Sequence, residues 1–228
     1  MKPILYHLPP SGNSRGALLA AKVAGVDVDI QIVDIMKREQ FTEAFLKINP
    51  QHTLPTLVDG DLTLWDSHAI AGYLATQYSK DDNLYPKDPK KRALVDQRLY
   101  FDCGTLYPRL RAICFPIIHK GETKIYDEHR ASLEEALGFL DGFLEGNDFV
   151  TGKHLTIADC SLVGSVSSIV AIGWDVSAHS NIANWITRCA LAIPDYEEAN
   201  QKGADAFGQL VGSKLAPGHC KHCGILYF

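Results

Sequence analysis

Apolar and polar positions follow two different rhythms along the chain. From residue 1 to 79, short apolar runs are interleaved with helical periods. Ile4-Leu5-Tyr6 reads as a short buried strand. Ala17, Leu18, Ala21 and Ala24 share one face of a helix from Ser14 to Ala24, which Gly25 stops. Val28, Ile30 and Ile32 alternate with polar residues, the period of a second strand. Phe41, Phe45 and Ile48 recur at i, i+4, i+7 and predict a second helix up to Asn49-Pro50. Leu54 to Val58 is a third strand, Asp59-Gly60 a hairpin turn, and Leu62 to Trp65 a fourth strand. Ser67 to Tyr78 closes the region as a third helix, with Ile70, Tyr73 and Leu74 turned inward.

The order βαβ, α, ββα packs a four-stranded mixed sheet between helices, the arrangement of a thioredoxin-like domain over residues 1–79. The polar segment 80–89, with Pro86 and Pro89, reads as a linker. Strand signals then stop. Leu133, Leu137, Leu140 and Leu144 form an amphipathic helical stripe. Thr156-Ile157-Ala158-Asp159 is a capping-box start, the Thr hydroxyl and the Asp carboxylate each serving a backbone N–H. The apolar run from Ser161 to Trp174 after it reads as a helix buried on all sides. Ile182, Trp185, Ile186 and Cys189 give another helical face, ended near Pro194. The expected fold class is therefore an α/β thioredoxin-like N-terminal domain followed by an all-α domain over residues 90–211. A loosely held tail, 212–228, rich in Gly, Pro, Lys and His, completes the chain.

Composition narrows the function classes. At 228 residues, 46% hydrophobic and 21% charged, the chain has the balance of a globular protein of two compact units. Its formal net charge of −5 gives no global attraction to nucleic acid or to anionic lipid. The longest apolar stretch falls short of the ~20 residues that cross a bilayer, and Met1 to His7 lacks the apolar core of a secretory signal. Of the six cysteines, Cys103, Cys114, Cys160 and Cys189 are scattered through apolar helical pattern, as free buried thiols are in a reducing compartment. A cytoplasmic protein without nucleic-acid or membrane partners is expected.

The motifs are more specific. Residues 49–57, Asn-Pro-Gln-His-Thr-Leu-Pro-Thr-Leu, followed by Trp65-Asp66-Ser67-His68-Ala69-Ile70, resemble the glutathione site of cytosolic glutathione S-transferases. The linker Leu84-Tyr85-Pro86-Lys87-Asp88-Pro89 and the run Leu155 to Asp159 are similar too, so the resemblance spans residues 3 to 210. With the early Ser11 it is to the insect delta and epsilon classes, epsilon being the nearer. The resemblance implies a homodimer that uses glutathione as co-substrate on small hydrophobic electrophiles in detoxification. It implies a glutathione site made of Gln40, His52, Thr53, Leu54, Pro55, Asp66, Ser67, His68 and Arg111. Leu54-Pro55 would be a cis peptide, with the Leu54 backbone bonding the cysteinyl unit, and His52 and Gln40 would face the glycyl carboxylate. The physical reading of Asp66-Ser67 agrees. A helix N-terminus offers unpaired amides to the γ-glutamyl carboxylate, and an anionic Asp suits the γ-glutamyl ammonium. Read without the resemblance, Ser67 is an N-cap and Asp66 a turn residue.

Free glutathione has a largely protonated thiol, with a pKa near ~8.5, so the site needs a donor to the thiolate sulfur. The resemblance places that catalytic donor at Ser11, in Pro9-Pro10-Ser11-Gly12-Asn13-Ser14-Arg15. Asn13 and Ser14 are rival donors, although Ser14 reads more simply as the helix N-cap, and Tyr6 reads as packing. Here two prolines precede the serine and Gly12 follows it, which makes the loop more permissive. That leaves a non-catalytic carrier of hydrophobic ligands as the alternative function. The resemblance puts the electrophile against Leu8, Pro9, Tyr107, Leu110, Arg111, Cys114 and Phe115. In the tail, His219-Cys220-Lys221-His222-Cys223 has the residue types of a zinc site but no second ligand pair, so no metal is assigned.

Overall fold

The computed structural model describes residues 2–216. Strands β1 (Ile4–His7), β2 (Asp29–Ile32), β3 (Thr56–Asp59) and β4 (Leu62–Trp65) form one mixed sheet in the order β2-β1-β3-β4. β1 is parallel to β2, with Leu5 opposite Ile30, and antiparallel to β3, with Leu5 opposite Leu57. A parallel pair needs a crossover, and α1 (Gly12–Ala24) supplies it. Gly25 ends α1 in the left-handed region, φ 73°, its N–H returned to Ala21 and Lys22. α2 (Glu43–Ile48) and α3 (Ser67–Tyr78) complete the thioredoxin-like unit.

Three local expectations need correction. α1 begins at Gly12, and its N-cap is Ser11 rather than Ser14. Phe41 lies in a 3-10 turn (Glu39–Phe41) ahead of α2, which starts only after Thr42 caps it. The Val28-Ile30-Ile32 alternation predicts one covered face, yet only Val28 is buried. Ile30 and Ile32 are 40% and 58% exposed, because β2 is the sheet edge.

The remainder is helical: α4 (Pro89–Phe101), α5 (Tyr107–Lys120), α6 (Asp127–Phe143), α7 (Ile157–Ala171), α8 (Ser180–Ala192) and α9 (Lys202–Gly212). Single π turns, Asp102–Leu106 and Glu197–Gln201, lead into α5 and α9. Leu133, Leu137, Leu140 and Leu144 are all buried, as their spacing requires. α7 is buried all round from Ile157 to Ile169 and packs on α1, α4, α8 and α9. Among the described residues no helix is long and apolar enough to cross a membrane.

The contact between α1 and α7 fixes the position of the Ser11 loop. Gly12 and Gly164 face each other so closely that a Cβ on Gly164 would lie 2.5 Å from the Gly12 carbonyl oxygen. Gly12 therefore serves close packing at a helix start and not a permissive loop. Gly164→Ala should lower unfolding free energy by about 2 kcal/mol or more, because two buried backbones must separate. Urea denaturation would measure it, and an unchanged midpoint would contradict this contact.

Candidate functional site

A cleft of about 530 Å³ opens between the segment after α2, the β4–α3 junction and the start of α5. Its walls are Asn13, Gln51, Thr53, Leu54, Pro55, Trp65, Asp66, Ser67, His68, Cys103 and Tyr107. Thr53, Leu54, Pro55, Asp66, Ser67, His68 and Tyr107, named from the sequence, are thus brought together. Ser11 is not a wall residue; it stands two positions before Asn13, which is. Leu8, Pro9, Gln40, His52, Leu110, Arg111, Cys114 and Phe115 also stand off the walls, and Gln51, Trp65 and Cys103 join them.

The 49–56 segment is held by Asn49, which is fully buried. Its amide nitrogen donates to the Thr53 carbonyl and hydroxyl, both at 3.1 Å, and to the Thr56 hydroxyl at 2.9 Å. Its oxygen accepts from the Gln51 N–H at 2.9 Å. One side chain thereby fixes the loop that presents Leu54, and the Leu54-Pro55 bond is cis. His52 has a positive φ of 48° and sets its exposed ring 4.7 Å from that of Phe41. Gln40 is half-buried in the turn beside Phe41.

At the β4–α3 junction the N-cap is Asp66, not Ser67. The Asp66 carboxylate accepts from the N–H groups of His68 and Ala69 at 2.9 and 3.2 Å. Ser67, only 6% exposed, opens the helix, and among the described residues neither its amide nor its hydroxyl has a hydrogen-bond partner. This leaves an unpaired N–H and O–H at the positive end of a twelve-residue helix, the kind of position that favours negative charge.

His68 ties this junction to the helices. Its Nε2 lies 3.0 Å from the buried Asp102 carboxylate, whose other oxygen accepts from the Ser165 hydroxyl of α7 at 2.8 Å. Its Nδ1 is 3.6 Å from Asp66. Burial alone would lower the His68 pKa, but hydrogen bonding and charge from Asp102 and Asp66 outweigh it and raise the value to about 9. The ring is an imidazolium at neutral pH, and its bond helps to hold Asp66 below the usual carboxylate range. Asp102 was not singled out in the sequence. It reaches His68 because the π turn after α4 aims it inward, and such turns recur at functional sites.

At the start of α1, the Ser11 hydroxyl accepts from the Ser14 N–H at 3.4 Å. Ser14 is fully buried beneath the turn, its own oxygen accepting from the Leu8 N–H, and it cannot reach the cleft as a donor. Tyr6 packs edge-on to Phe45 at 5.5 Å. On α5, Leu110 and Cys114 are buried in the core, and burial pushes the Cys114 thiol up to about 12. Arg111 is exposed with its guanidinium 4.2 Å from the Phe115 ring centre. Arg109 is spent on Ser132 and Glu135. Leu8 and Pro9 are half-buried in the turn leading to Ser11. The His-Cys cluster of the tail lies outside the described residues. Among those residues no group of three or more His, Cys, Asp or Glu could hold a metal ion.

Comparison with known proteins matches residues 1–76 to the glutathione S-transferase N-terminal domain and 123–188 to its C-terminal domain. Glutathione S-transferase D7 of Anopheles gambiae is 42% identical over 217 residues, 94% of this chain and 99% of that protein. The structure of glutathione S-transferase unclassified 2 from Bombyx mori superposes with a TM-score of 0.91 at 50% identity, covering 95% of this chain and 100% of that one. A glutathione transferase homologue of Drosophila mojavensis, solved with bound glutathione, has a TM-score of 0.89 at 42% identity over 94% of this chain and 98% of its own. Likeness of this extent, in both regions and in the same order, means that the chain belongs to the glutathione S-transferase family, with glutathione as its co-substrate.

Proposed function

We propose that the protein conjugates glutathione to small hydrophobic electrophiles, with Ser11 as the catalytic donor that stabilises the thiolate. The observation that carries this is the state of the Ser11 hydroxyl. Its oxygen is engaged as an acceptor by the Ser14 N–H, and no acceptor among the described residues takes its proton. That proton is free for a sulfur at the edge of the cleft. A hydroxyl donated to sulfur favours the anion and lowers the thiol pKa from ~8.5 toward neutrality. The thiolate then attacks the electrophilic carbon, and the leaving group departs with its electron pair.

The rest of the tripeptide is assigned to the cleft and, for its glycyl end, to two residues off its walls. The Ser67 amide and hydroxyl take the γ-glutamyl carboxylate, Asp66 takes the ammonium, and the Leu54 backbone takes the cysteinyl unit. His52 and Gln40 receive the glycyl end. The electrophile enters between the Leu8-Pro9 turn and Tyr107. The reading includes a cytoplasmic homodimer: Leu94 and Tyr100, 46% and 72% exposed on α4, give a second copy an apolar surface to cover.

Turnover of a generic aryl halide tests the assignment. Ser11→Ala should lower kcat/KM at least ~10-fold, whereas Asn13→Ala, which removes the rival donor on the cleft wall, should leave it nearly unchanged. The reverse ranking would move the role to Asn13. Wild-type protein that binds glutathione without turnover would make it a carrier.

A further inference from the structure

Arg15 is a charged side chain fully buried in α1, with no carboxylate among its hydrogen-bond partners. Its Nη1 donates to the carbonyls of Pro9 and Pro10 at 3.2 and 2.9 Å. Its Nε donates to Asn200 Oδ1 at 2.9 Å, and its Nη2 to the Gly164 carbonyl at 2.8 Å and the Ser168 hydroxyl at 2.6 Å. The first pair belongs to the turn that ends at Ser11. The others belong to α7 and to the π turn before α9. Gly203 closes on the same spot, since a Cβ there would lie 2.3 Å from the Pro9 carbonyl oxygen.

One local bond closes the turn, from the Ser11 N–H to the Leu8 carbonyl at 2.9 Å. Neither proline has an N–H to add a second, and one rigid fork reaches both of their carbonyls. We propose that Arg15 is a positioning residue for the transferase reaction, aiming the Ser11 hydroxyl at the glutathione sulfur through the Pro9 and Pro10 carbonyls. Asn200 and Ser168 anchor the fork from the helical region, so thiol activation depends on side chains about 150 to 190 positions away in sequence. This role rests on Ser11 being the donor.

The readout is the pH titration of thiolate absorbance of glutathione bound to the purified full-length protein, with steady-state kinetics on an aryl halide. Arg15→Lys keeps the charge but cannot bridge all these partners. Asn200→Ala and Ser168→Ala each remove one anchor, and they decide the matter if Arg15→Lys fails to fold. Each folded variant should raise the bound-thiol pKa and lower kcat at neutral pH, by up to about 10-fold for the lysine, with KM for glutathione unchanged. In a Ser11→Ala background none should have a further effect. His7 and Tyr196 face the guanidinium as well, together with Asp205. His7 is held down to about 4 and Tyr196 up to about 12, chiefly by burial, so neither titrates in the window of the thiol.

If the variants lose stability while the bound-thiol pKa stays put, or if their effects add fully to that of Ser11→Ala, Arg15 is only structural and the proposal fails. If Ser11→Ala itself leaves the pKa unmoved, the Ser11 assignment falls first. The two failures are read from different variants.

Discussion

Asp159→Ala is expected to cost about 3–5 kcal/mol of unfolding free energy. Asp159 is fully buried at the third position of α7. One oxygen accepts from the Val150 N–H and the Trp185 indole N–H, both at 2.9 Å. The other accepts from the Thr156 N–H at 2.9 Å and the Thr156 hydroxyl at 3.0 Å. Burial pushes the carboxyl pKa up, while these four donors favour the charged form. Alanine would leave the Val150, Thr156 and Trp185 N–H groups without their acceptor in a dry core. Stranding these groups outweighs the relief of removing a buried charge, which leaves the net cost at about 3–5 kcal/mol, that of breaking a buried charged network. Asp159→Asn keeps one acceptor oxygen and should recover part of the loss. Urea unfolding of the three proteins at equal concentration would measure the series. An alanine variant within 1 kcal/mol of wild type would mean that water or rearrangement replaces the carboxylate.

Asp159 also shows how far the sequence can be read. Its reach back to Thr156 is a three-residue pattern and was legible. Its bond to Trp185, 26 residues on, was not, because no local period encodes it. The same division runs through the fold. The Ser67–Tyr78 helix, the Leu133 stripe and the Gly25 stop depend on neighbours within a few turns, and they appear as predicted. Where a helix starts is harder. Gly12-Asn13 looks like loop, yet Gly12 is helical because it packs on Gly164. Ile30 and Ile32 carry the right alternation, but an edge strand has less to cover them.

In the site, the Leu54-Pro55 and Asp66-Ser67 segments were legible through the family resemblance, and they do line one cleft. The residues that hold those segments were not. Asp102 and Arg15 act through bonds to partners in other elements, whereas Asn49 stands inside the 49–57 motif and its side chain bonds only within it. Nothing in the spacing of charged residues distinguishes a buried Arg or Asp from a solvated one. Cys103, expected as a buried thiol, is instead exposed on the cleft wall, because it falls with Asp102 in a π turn whose single extra residue leaves no periodic trace.

Stability should peak near pH 6.5 and fall on both sides, because buried His7 and half-buried His68 pull in opposite directions. His7 is buried, and desolvation together with the nearby Arg15 charge lowers its pKa from 6.5 to about 4. Below pH 6.5 the unfolded chain binds a proton that folded His7 refuses, so stability rises with pH from about 4 to 6.5. For His68 the sign reverses. Its folded value of about 9 exceeds the ordinary 6.5, so the native state holds the extra proton between those values. That contribution is complete below pH 6.5 and is lost as pH climbs through about 9. A shift of this size corresponds to roughly 3 kcal/mol for a ring this well buried. Urea titrations at pH 5, 6.5, 8 and 9.5 should trace the dome. In His68→Gln the loss between pH 6.5 and 9 should disappear, while the acid limb stays. A wild-type curve flat across that alkaline interval, or an equal slope in the variant, would show that the Asp66–His68–Asp102 chain does not hold its proton as the geometry requires. The junction it braces carries Ser67, proposed to take the γ-glutamyl carboxylate, so glutathione KM measured over the same range should rise as the proton leaves.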